Sequence, residues 1–329
     1  LLCLAMAPLV GCDRKSASVT KPAGGDAVAT QPAAAEVIPD DPQAVAALEE
    51  AGFLLNKNSQ GVVTELSVST GEDISAALSH LSGVPNVETA SFSGPGLTDK
   101  GMDAIENLTK LKRLDLSNSA IADPTLESIA KLSALEVLRL RRTSVSNDGL
   151  QNVSGLAGLR MIDLRNSKIS DEGLEHLAGL RKLGDIELEK TNVTDAGVKK
   201  LAGLPLKSLN VNYCTSITNA SLEILGKITT LESIQMDYTK VNDKGMPAVA
   251  NLKNLKRLRL RGCDVTGAGI AHIKELTDIN RIELRDSSLD DEGLAVIASL
   301  PKMQFLDIAE CRLITSEGMK QIAGLTGLT

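Results

Sequence analysis

The sequence predicts an α/β solenoid, a curved stack of short strand–helix units with a parallel sheet on its concave face. Three observations predict it. An apolar pattern recurs every 24 residues from Val63 onward, and within each repeat the spacing changes from strand-like alternation to helical spacing. The chain is also 43% hydrophobic yet only 2% aromatic, with no Trp. A single large globule of this length would use aromatic bulk in its core, whereas a thin stack fills its interior with Leu, Ile, Val and Ala.

The first element is residues 1–12, an apolar run too short to span a bilayer, which needs about 20 residues, but suited to the hydrophobic core of a signal peptide. It lacks an initiator Met and a basic stretch, which reads as a truncated leader. Its end, Leu9-Val10-Gly11-Cys12, resembles the bacterial lipobox. That resemblance implies a lipid on Cys12, a membrane anchor and a place in the bacterial cell envelope, on the periplasmic or surface side. The alternative is a buried apolar segment with an incidental cysteine. Asp13 resembles the residue that retains some lipoproteins in the inner membrane. Residues 13–41, rich in Ala, Pro, Gly, Ser and Thr, read as a flexible tether. Residues 42–62 contain an amphipathic helix ended by Gly52, which would cap the first core face of the stack.

Residues 63–329 are the repeat domain. Leu111-x-x-Leu114-x-Leu116 returns as Leu135-x-x-Leu138-x-Leu140, Leu159-x-x-Ile162-x-Leu164 and Leu183-x-x-Ile186-x-Leu188. Eleven units begin between Val63 and Met303, where only the steps into Leu206 (23) and Leu231 (25) deviate, and a twelfth begins at Leu328. No C-terminal cap is visible, which reads as a chain that continues. The second half of a unit, as in Ile169-Ser170-Asp171-Glu172-Gly173-Leu174, predicts a short helix capped by Ser170 or Asp171. With Ser119, Thr143, Ser167, Thr191, Cys214, Thr239, Cys263, Ser287 and Cys311 at the turn position, the pattern resembles the leucine-rich-repeat family, close to its cysteine-containing subtype. The resemblance implies a leucine-rich-repeat solenoid in a bacterial lipoprotein.

No enzyme is expected, because no nucleophile–base set, phosphate loop or dinucleotide fingerprint is present. No cofactor is implied. His80, His176 and His272 lie 96 residues apart, four repeats or roughly 19 Å, so they cannot share a zinc ion. Cys214, Cys263 and Cys311 are two units apart, about 10 Å, beyond disulfide reach. They read as small buried thiols bonding the backbone. Acidic runs such as Asp290-Asp291-Glu292 sit at helix starts, where caps favour acids. Gly149, Gly173, Gly197 and their equivalents mark close packing between units.

A net charge of −7 gives no global field for nucleic acid. The expected partner is a protein or an acidic polymer on the concave face, with the membrane engaged through the lipid. Two clusters are candidates. Arg257, Arg259 and Arg261 form a row in which Arg257 should face Arg281 and Arg261 should face Arg285, like charges stacked without partners. Tyr213 and Tyr238 fall at one strand-end position of adjacent units and should lie about 5 Å apart. The competing reading is a structural envelope scaffold or spacer with no discrete ligand site, in which the arginines are solvated surface and the tyrosines seal a turn.

Overall fold

Alternation between apolar and polar residues holds only three residues at a time in most units, and three residues suffice because each strand pairs on both sides. The computed structural model describes residues 38–328. Cys12 and nearly all of the expected tether therefore lie outside the described residues. Twelve strands form one sheet in sequence order. They are β1 (Leu54–Lys57), β2 (Val63–Ser69), β3 (Thr89–Ser93), β4 (Arg113–Asp115), β5 (Val137–Arg139), β6 (Met161–Asp163), β7 (Asp185–Glu187), β8 (Ser208–Asn210), β9 (Ser233–Gln235), β10 (Arg257–Arg259), β11 (Arg281–Glu283) and β12 (Phe305–Asp307). From β2 onward all neighbours are parallel, with a short helical segment crossing between them.

One side chain per strand points inward, and register makes these a column. Leu114, Leu138, Ile162, Ile186, Leu209, Ile234, Leu258 and Ile282 align and are all 0% exposed. No unit can bury such a column alone, so each needs its neighbours.

The stack is closed at its start by two elements. Helix α1 (Pro42–Glu50) is capped by Asp41, which accepts from the Gln43 amide at 2.9 Å, and it buries Ala44 and Leu48. After Gly52, at φ +87°, the chain turns into β1, which pairs antiparallel with β2 and protects the edge of the sheet. The sequence suggested the helix but not this strand, because Leu54-Leu55-Asn56-Lys57 shows no alternation. Residues 38–41, assigned to the tether by composition, are held to the body. Asn86 Nδ2 donates to the Ile38 carbonyl (2.5 Å), the Val63 amide to Asp40 Oδ2 (2.6 Å), and the Asp41 amide to the Gly83 carbonyl (2.8 Å).

Each later strand ends in a left-handed residue. Asn118, Arg142, Asn166, Lys190, Tyr213, Tyr238, Gly262, Asp286 and Glu310 all have φ between 53° and 64°. Asn and Gly accept that conformation readily, while a bulky residue carries a strain of roughly 1–2 kcal/mol. The residue that follows closes the turn. The Ser119, Thr143, Ser167, Thr191 and Thr239 hydroxyls each donate to the carbonyl three residues back at 2.6–2.8 Å. The thiols reach further. Cys214, Cys263 and Cys311 donate to the Leu188, Met236 and Leu284 carbonyls of the preceding unit at 3.2, 3.2 and 3.1 Å. All three are unpaired and buried, and burial raises the Cys214 and Cys263 pKa values, so they are inert.

The acidic residues at helix starts do more than cap. Asp123, Asp171, Asp195, Asp243 and Asp291 each clamp the next unit, accepting from the amide and the hydroxyl of Ser146, Thr194, Thr218, Thr266 and Thr315. Burial disfavours the Asp195 charge, but hydrogen bonds from Ser221 and Thr218 outweigh it and lower its pKa. The repeated glycines make room for these clamps. A Cβ on Gly149, Gly197 or Gly269 would come within 2.2–2.3 Å of the Asp123, Asp171 or Asp243 carboxylate. Where Ser221 replaces the glycine, its hydroxyl instead donates to Asp195 Oδ1 at 2.5 Å. Gly197→Ala is therefore expected to lower stability by about 1–2 kcal/mol, since losing a bond to a charged group outweighs the gain in helix propensity. Gly197→Ser should lower it less. Urea midpoints of the two variants test this, and an alanine variant as stable as the parent would show that the clamp contributes nothing.

Candidate functional site

The face of the sheet opposite the core carries the charged rows. Register places Arg257 beside Arg281 as expected, but the arginines of that row are not left unpaired. Arg259 Nε contacts Asp237 Oδ2 at 2.5 Å and Glu283 Oε2 at 3.4 Å. Arg261 contacts Glu283 and, at 2.8 Å, Asp307. Arg281 reaches Glu283 at 2.6 Å and lies over the Phe305 ring, 3.7 Å from its centroid. Arg285 pairs with Glu310. The expected stack of unpaired like charges is thus corrected to a network built around buried carboxylates. Asp237 is 0% and Glu283 2% exposed. Burial pushes the Asp237 pKa up against the pull of the Arg261 amide and Arg259. Of the five candidate arginines, only Arg257 has no acidic partner among the described residues, and it is exposed.

Further along the sheet, register sets Arg139 between Asp115 and Asp163, but among the described residues it makes no salt bridge with either. Asp163 is taken by Arg165 of its own unit, through contacts of 2.9 and 2.6 Å, and Arg165 also lies 3.8 Å from Glu187.

Tyr213 and Tyr238 do stack, with centroids 4.9 Å apart and planes within 16°. Their rings are part of a longer column. Lys190 Nζ lies over the outer face of Tyr213, 4.9 Å from its centroid. On the far side, Tyr238 fills the space that a Cβ at Gly262 would occupy, 2.4 Å away. Each ring thus has a neighbour on both faces, and the two residues remain 40% and 38% exposed.

At the start of the strands the sheet opens into two adjoining hollows of about 450 and 420 Å³. They share Asp185 and Lys207. The first is flanked by Arg160 and Lys182, the second by Ser233, Lys256 and Arg257. Lys256 is paired with Glu232 at 2.6 Å, and Arg160 is 3.6 Å from Glu136. Lys182, Lys207 and Arg257 make no salt bridge among the described residues. The Ser233 hydroxyl is buried without a hydrogen-bond partner. Desolvation raises the Asp185 pKa, opposed by Lys207. Sequence reasoning missed this groove because Lys207 and Ser233 sit at strand starts, where the repeat pattern imposes no residue type. The three histidines stand in separate outer segments, and no group of three or more His, Cys, Asp or Glu among the described residues could hold a metal ion.

The model of the leucine-rich repeat region matches residues 92–324. No curated protein matches the chain. Among solved structures, an internalin (inlF) from Listeria monocytogenes superposes with a TM-score of 0.60 at 20% identity, covering 88% of this chain and 94% of that one. Internalin C2 from the same organism gives 0.46 at 21% identity, covering 81% and 92%. A TDR receptor gives 0.48 at 16% identity, covering 74% of this chain and 45% of that one. At these identities the likeness speaks for the fold alone. With the repeat model matched over more than half its length, and with its strands, turns and outer helices recurring in the frame that the repeats set, the chain belongs to the leucine-rich repeat family.

Proposed function

We propose that the protein is a recognition module that binds a protein or an acidic polymer on the concave face of its sheet, tethered to a bacterial membrane by a lipid on Cys12. The observation that carries the binding reading is the groove at the strand starts, where Lys182, Lys207 and Arg257 make no salt bridge among the described residues, in a protein of net charge −7. Unpartnered cations gathered in a hollow favour anionic ligands and steer their approach. The tether reading rests on Leu9-Val10-Gly11-Cys12 and the polar stretch after it.

The arginine network dictates how the reading is tested. Reversing Arg259 or Arg261 would strip buried Asp237 and Glu283 of their counter-charges and confound binding with unfolding. Lys207→Glu with Arg257→Glu leaves that network intact. In envelope extracts of the source organism, the parent should retain a partner that this folded double variant loses. Capture that is identical for the two, or absent for both, would support a scaffold with no discrete site. Cys12→Ser should move the full-length protein from the detergent phase to the aqueous phase, and an unchanged partition would remove the lipid anchor.

A further inference from the structure

The two hollows form one continuous groove because they share Asp185 and Lys207. It crosses the starts of β6 to β10, four strand spacings or about 19 Å. An extended peptide rising about 3.3 Å per residue covers that distance in roughly six residues.

Its charges are spaced and not continuous. Arg160 and Lys182 lie at one end, Lys207 in the middle, and Lys256 and Arg257 at the other. The Asp185 and Glu232 carboxylates stand between them. A uniformly charged polyanion such as polyphosphate would be repelled wherever it passed those two groups. A chain whose carboxylates alternate with neutral residues would not be, since its backbone N–H groups could donate to Asp185 at those points. Ser233 supplies the second observation. It lies on β9, between β8 and β10, with Ser208 and Arg257 as its register partners. Lys207, just before β8, and Arg257 are thus about 10 Å apart along the stack, with the unpartnered Ser233 hydroxyl between them. An anionic group seated there would take charge from both sides and, on rotation of the Ser233 side chain toward the groove, a hydrogen bond from its hydroxyl, and the planar fork of Arg257 suits a carboxylate.

We infer that this groove binds an extended acidic peptide, with one of its carboxylates held between Lys207 and Arg257 over the Ser233 hydroxyl. The inference rests on the recognition reading above and names the ligand class of that site.

The test is fluorescence anisotropy on the full chain with three labelled probes: a short peptide of alternating Glu and Ser, the same peptide with Gln for Glu, and polyphosphate. The Glu peptide should bind and the Gln peptide should not. Lys207→Glu and Arg257→Glu should each weaken the Glu peptide by roughly tenfold, and Ser233→Ala by a smaller factor. Lys253→Glu, at an exposed residue outside the lining of the groove, should leave it unchanged. Raising salt should weaken binding, since these charges are exposed to screening. Equal loss in Lys253→Glu would mean non-specific attraction and overturn the assignment. Tighter binding of polyphosphate would overturn it in favour of a polyanion. If the Glu peptide fails to bind while capture from envelope extracts still depends on Lys207 and Arg257, the ligand class falls and the recognition reading stands. If both fail, both fall.

Discussion

Glu283→Ala is expected to lower stability by about 3–5 kcal/mol, because it would leave charges on the sheet face without the partner that makes their burial tolerable. Glu283 is 2% exposed and touches Arg259, Arg261 and Arg281. Among the described residues its carboxylate is the only acidic contact of Arg281, while Arg259 retains Asp237 and Arg261 retains Asp307. Glu283→Gln preserves volume and some hydrogen bonding, so it should fall between the alanine variant and the parent. Arg257→Glu, at an exposed position without a partner, should stay within about 0.5 kcal/mol of the parent. The contrast is read from chemical denaturation curves. Similar losses in Glu283→Ala and Arg257→Glu would mean that the arginine network does not stabilise the sheet.

Leu209→Ala should produce a comparable loss, about 2–5 kcal/mol, from the cavity left in a column that is fully buried. In a stack where units contact only their neighbours, that loss is local. Amides of β8 and β9 should exchange with solvent well before those of β4 and β5. The same deletion at Leu306, only partly buried on β12, should cost far less. Uniform acceleration of exchange along the whole stack would show that the units unfold as one cooperative body.

The frame of the fold was legible because a column of Leu and Ile every 24 residues has only one economical arrangement. The two spacing irregularities, 23 and 25, prove to be a compensated pair. The strand pairs shift from Ile186↔Leu209 to Leu209↔Ile234, while the clamping residues Asp171, Asp195, Asn219 and Asp243 keep a constant step of 24. One residue is lost before β8 and one gained in the turn after it. The binding face was harder to read, for a reason of reach. Register gives the residue opposite each arginine, as with Arg257 and Arg281. A guanidinium on a long stem instead finds the carboxylate along the diagonal, as Arg261 does with Glu283 and Asp307. The inter-unit role of Asp171 was hidden likewise, since a capping residue and a clamping residue look the same in sequence. The groove depends on side-chain packing at strand starts, where the repeat pattern imposes no residue type.

The clamp described above is missing at Gly267. Gly267 occupies the position held by Asp243 and Asp291 in neighbouring units, and Asp290 turns inward to cap its own helix through the Gly293 amide at 3.0 Å. The junction between the units of β10 and β11 therefore lacks the carboxylate clamp of its neighbours and is tied instead by the Ser288 hydroxyl on Asp264, at 2.9 Å, and by Arg259 and Arg261 on Glu283. Sliding of these two units past each other is therefore resisted chiefly from the concave side, by the arginine network, whereas the junctions before and after are also pinned from the helical side by Asp243 and Asp291.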